Sequence, residues 1–190
     1  MERGSGIKIP WKSFWLLLAV FIVFSFVGYA VGSHSPGEAL QAVKRLIEHI
    51  GPPSDSSFHN FMKIFTNNSM VALLMLLSGL FFGLGPWFIM AFNGLMVGLV
   101  VFVAHRTGGL PMFKIILALV PHGIIEIPAI AIAGVAGITW YLEIARGEGN
   151  AGGRFKRGMV EGFKLYLLSV ALLFIAALVE AYVTPKVAGL

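Results

Sequence analysis

Cysteine is missing from this 190-residue chain, which excludes disulfides, thiolate metal sites and cysteine nucleophiles. Charge is nearly as scarce. Asp, Glu, Lys and Arg make up 12% of the residues, about half the roughly 25% of a soluble domain. So few charges cannot cover a water-facing globule. The acidic residues are the rarer, 9 against 14 Lys and Arg, and the resulting excess of +5 raises the question of nucleic acid. The basic residues, however, gather in two short blocks beside apolar stretches, which is how membrane topology signals are arranged. No nucleic-acid partner is expected.

What fills the chain is apolar. Hydrophobic residues reach 57%, and no charged side chain occurs between Asn68 and Ala104, well beyond the ~18 apolar residues that mark a spanning helix. The expected fold class is all-α: a polytopic membrane helical bundle, one membrane domain over 1–190, with the lipid bilayer as its solvent. A first span is expected at about 11–32. Its length and its Trp11 and Trp15 favour a retained helix over a cleaved signal peptide. The uncharged run would measure about 55 Å as one helix, almost twice the ~30 Å of the hydrocarbon core. It must turn, and Gly83-Leu84-Gly85-Pro86 offers the glycines for the turn and a proline for the next helix start. The expected helices are 69–82 and 86–104. Further spans fall at 112–142, interrupted by Pro121 and Pro128, and at 165–183. Five spans place Arg3, Lys8 and Lys12 on the same side as Arg146, Arg154, Lys156, Arg157 and Lys164. The positive-inside rule then sets the N-terminus in the cytoplasm of a multi-pass cell-membrane protein.

An external amphipathic segment is expected over 36–66. Ser35-Pro36-Gly37-Glu38 reads as a capping box, and Leu40, Val43, Ile47 and Ile50 recur at helical spacing until Gly51-Pro52-Pro53 ends the helix. A second stretch, with Phe58, Phe61, Met62 and Phe65, leads to Asn67-Asn68. Two helices lying on the lipid surface is the simpler reading, and a grip on a partner the other.

Polar residues inside the apolar runs need a reason. His122 and Glu126 stand four residues apart, which puts them on one helix face with Cβ atoms about 5–6 Å apart. Imidazole and carboxylate in that relation can share a divalent cation, relay protons, or simply bond to each other as structural glue. A carboxylate near the bilayer centre costs at least ~2.5 kcal/mol. Pro121 and Pro128 also remove the helical donors of the Leu117 and Ile124 carbonyls, which suits backbone facing protein or water. Asn93 is a further intrusion, able to complete a coordination sphere or bridge two helices. Gly79 and Gly83, Gly94 and Gly98, and Ala129, Ala133 and Gly137 form small-xxx-small pairs that serve internal packing or a homodimer. No second His lies beside His122 and no Ser or Cys nucleophile accompanies it, so no enzyme is expected.

Asn67-Asn68, the glycine-rich turn, Asn93-Gly94 with Gly98, and Pro121-His122-Gly123 through Glu126-Ile127-Pro128-Ala129 together resemble the stage II sporulation protein M family. The resemblance covers about 58–137 and implies that Asn68, Asn93, His122 and Glu126 act together. In spore formers the family belongs to a membrane complex with peptidoglycan-degrading partners. It therefore implies a scaffold role with membrane or envelope protein partners, as an alternative to an ion-binding channel or transporter.

Overall fold

The computed structural model describes residues 10–51 and 54–188; Arg3, Lys8, Pro52 and Pro53 lie outside that set. All its regular structure is helical: α1 Trp11–His34, α2 Pro36–Ile50, α3 Ser57–Ser78, α4 Gly85–Phe102, α5 Met112–Arg146, α6 Ala151–Tyr182 and α7 Thr184–Ala188. A π-helical turn, Val103–Thr107, extends α4. Five of these segments are long and apolar enough to cross a membrane: α1, α3, α4 with its π turn, α5, and α6 continued to Lys186. Lipid leaves backbone groups no partner except one another, so apolar runs of this length become helices.

Several element limits differ from the sequence expectation. The second span begins at Ser57 and ends at Ser78, not over 69–82. Ser56 caps it by accepting from His59 N at 3.3 Å. Phe61 and Phe65 then pack edge-on against Phe174 at 5.2 and 5.5 Å. The stretch expected to lie on the lipid surface is thus the first part of a bundle helix, and only α2 remains as a separate amphipathic segment. Ser35 stands at the N-cap of α2 with Pro36 next, but its side chain makes no cap hydrogen bond. The capping box is not formed. Gly51 ends α2 at φ 84°, a left-handed conformation open to glycine. The fourth span passes through Pro121 and Pro128 as one helix. The last helix starts at Ala151, not near 165, because Asn150 accepts from Gly153 N at 2.7 Å and caps it there.

Two packed pairs organise the bundle. α1 and α4 run parallel: a Cβ at Gly94 would overlap the Phe21 carbonyl, one at Gly98 the Ser25 carbonyl, and one at Gly28 the Leu95 carbonyl. Glycine is what lets the two backbones touch. α5 and α6 form an antiparallel hairpin. The Ser169 hydroxyl donates to Ala129 O at 2.7 Å, Trp140 Nε1 donates to Phe155 O at 3.2 Å, and Arg157 pairs with Glu143 at 2.8 Å. α3 ends where Gly79 presses on the backbone of Gly137, and residues 79–84 turn the chain with Phe82 and Gly83 at positive φ. Trp11, this turn and the 147–150 loop mark one end of the bundle, the turn end. α2, the π turn and α7 mark the other, the mouth end.

Candidate functional site

Between α3 and α4 lies a cleft of about 700 Å³. The two helices are joined by the 79–84 turn and pack little against each other elsewhere in the bundle, which leaves the space open. Helix α5 forms its floor, and α6 contributes its last turn. The walls are apolar, while Asn68, Asn93, His122, Glu126 and Glu180 all line the cavity. A second cavity of about 90 Å³ lies behind, against Phe21 of α1, and shares Asn93, His122 and Glu126 with the first. That volume is enough for an ion and a few waters, since one water needs roughly 10–15 Å³.

His122 and Glu126 do share a face of α5. Glu180 joins them from α6: each of the three offers a ligand atom within 4.8 Å of the other two. His122 Nε2 stands 4.0 Å from Glu180 Oε2. Its other ring nitrogen, Nδ1, lies 3.5 Å from the Thr184 hydroxyl, which is buried at the start of α7. Asn68, buried on α3, lines the same cleft as Glu126 and accepts at Oδ1 from Asn67 at 3.2 Å. Asn93 donates back to Ile89 O on its own helix at 2.8 Å while facing both cavities. All four residues singled out in the sequence therefore meet at one place. Pro121 and Pro128 bracket the His–Glu turn and contribute shape, with neither ending the helix.

Glu180 and Thr184 escape a reading by span. Glu180 sits one turn from the end of an apolar run, where an acid is unremarkable, and only the α5–α6 register carries it to His122. The available signal was that Glu180 is the sole charged residue between Lys164 and Lys186.

The donor set has a definite chemistry. Two carboxylates and one imidazole suit a borderline or hard divalent cation. Around one ion, ligand atoms at about 2.0–2.2 Å stand about 3–4 Å apart, somewhat closer than the 4.8 Å within which the three lie here. Among the described residues, neither carboxylate forms an ion pair with Lys or Arg. A divalent cation would neutralise both.

The family model described as stage II sporulation protein M matches residues 17–185, a stretch that contains every residue of this site. An uncharacterised protein of Methanocaldococcus jannaschii is 36% identical over 135 residues, covering 68% of this chain and 73% of that protein. A second from the same organism is 28% identical over 139 residues, covering 71% of this chain and 60% of that protein; the chain spans less than two thirds of its length. No solved structure matches the chain.

Proposed function

The chain belongs to the stage II sporulation protein M family, and from that premise we propose that this multi-pass membrane protein holds a divalent cation at His122, Glu126 and Glu180. The observation that carries the reading is the convergence of three ligand atoms from two helices within 4.8 Å, at the floor of a cleft inside an apolar bundle. An acid set in an apolar bundle is costly to keep ionised, by ~2.5 kcal/mol or more at the bilayer centre. A shared cation offsets that cost for both at once.

Asn93 and Asn68 are the supporting groups, one at the junction of the two cavities and the other beside Glu126. Toward the turn end the core closes: Leu17, Met75 and Val135 have no exposed surface. A site reached from the mouth end is therefore the form the packing favours. Transport through it, whether of the cation or of protons, would need a second polar path across that layer, and ion flux in liposomes tests it directly. No catalytic step is assigned.

Metal content measured by mass spectrometry on the purified protein is the primary test. The wild type is expected to retain a divalent ion in near-stoichiometric amount. His122→Ala, Glu126→Gln and Glu180→Gln should each lose most of it while keeping a folded elution profile. Equal metal in the wild type and all three variants defeats the reading.

The other reading is a non-catalytic scaffold that recruits partner proteins, with the polar trio as structural glue. What favours it is α2, whose Gln41, Lys44, Arg45 and Glu48 are exposed at the mouth end. Under that reading the same variants lose stability and co-purifying partners, and metal content stays at background throughout.

A further inference from the structure

We propose that the cleft between α3 and α4 binds an anionic phospholipid, its phosphate at the basic mouth and an acyl chain along the apolar walls. The mouth is a separate cavity of about 430 Å³ formed by His49 of α2 with His59, Met62, Lys63, Thr66 and Asn67 of α3. Among its described lining residues there is one full cation, and there are two imidazoles, a hydroxyl and an amide, but no carboxylate. All five polar groups can donate hydrogen bonds to phosphate oxygens. Basic pockets beside spanning helices are one way membrane proteins hold lipid head groups.

His49 and Asn67 line the large cleft as well, so mouth and cleft are one continuous space. Below the mouth the walls turn apolar. Leu74, Phe88 and Phe92 stand 51, 72 and 63% exposed on helices that cross the membrane, so the open side of the cleft meets acyl chains. Depth agrees: Lys63 lies about 24 Å along α3 from Gly79, against a hydrocarbon core of ~30 Å, which sets the mouth near head-group level. A free phosphate would use the mouth and leave the wall below it without purpose. An amphiphile matches both. None of His122, Glu126 or Glu180 is needed, so the inference stands apart from the cation reading.

Native mass spectrometry of the detergent-solubilised full chain, with dioleoyl phosphatidylglycerol or dioleoyl phosphatidylcholine added, tests it. The wild type should retain phosphatidylglycerol in preference to phosphatidylcholine, and inorganic phosphate should not displace it. Replacing His49, His59 and Lys63 together with Ala should weaken retention by about tenfold or more, since the mouth then loses its cation and both imidazoles. Val71→Trp, which fills the apolar wall, should weaken it with the mouth intact. If the triple variant does not fold, Lys63→Glu alone carries the same expectation. Equal retention of the two lipids by the wild type overturns the proposal. So does displacement by phosphate with Val71→Trp without effect, which makes the mouth an anion site only. A dimer mass in place of the lipid adduct gives the cleft to a second copy of the chain, and overturns it too.

Discussion

Ser169 shows how one polar atom is used inside this bundle. It is fully buried, and its hydroxyl meets the Ala129 carbonyl, one residue past Pro128, at 2.7 Å. Ser169→Ala should lower stability by about 0.6 kcal/mol and at most ~1.7, the range for interhelical hydrogen bonds in membranes. Gly98 makes the opposite case, because there an atom must be missing. A side chain at that position collides with backbone of Ser25 and Tyr29, and backbone cannot rotate aside. Gly98→Leu should therefore cost more than Ser169→Ala, about 1–3 kcal/mol as an overpacked contact. Thermal unfolding in detergent ranks the pair, and a Gly98→Leu protein as stable as wild type would mean that α1 and α4 do not touch there. At this scale His122, Glu126 and Asn93 were legible in the sequence, since each is polar where the surroundings are not. Asn68 stands among Thr66, Asn67 and Ser69 and was marked only by the family resemblance. Glu180 was not legible: nothing local distinguishes an acid near the end of a span.

The element that differs most from its sequence pattern is α3. Aromatic residues at helical spacing beside His59 and Lys63 look like a surface-lying helix. They become part of a span because Phe174 of α6 offers a face for Phe61 and Phe65. Phe174→Ala removes two edge-on ring contacts, each worth about 0.5–1.5 kcal/mol, and should loosen the mouth half of α3 while the Gly79–Gly137 contact holds the turn half. Hydrogen exchange should then speed over 57–66 and change little over 72–78. Uniform acceleration along α3, or none, would contradict this division. The prolines of α5 carry a related lesson. Each removes one donor, which predicts a break when the helix stands alone, yet α5 runs on as one helix with α6 packed along it. Asn150 likewise moves the start of α6 well ahead of its apolar run, because a local cap outweighs hydropathy.

Across the whole molecule, the parallel α1–α4 pair and the antiparallel α5–α6 pair agree with five crossings of alternating direction. Orientation is an expectation from charge. Lys12, Arg146, Arg154 and Arg157 all lie at the turn end, which should face the cytoplasm. The lack of cysteine makes the test simple, because a single introduced thiol is the only one present. Ser33→Cys, exposed at the mouth end, should react with a membrane-impermeant maleimide on intact cells. Glu148→Cys, exposed in the 147–150 loop, should react only after lysis. The reverse pattern inverts the orientation, and labelling of both from one side would exclude an odd number of spans between the two positions. The amino-acid order alone determined the class, the span count and that the chain turns ahead of Pro86, because lipid penalises every charge and every unpaired backbone group. The turn itself occupies 79–84. Only tertiary structure could decide that Glu180 and Thr184 meet His122, or that α3 and α4 part to leave a cleft. Those outcomes depend on the register and angle between helices, which follow from side-chain packing across positions far apart in the chain.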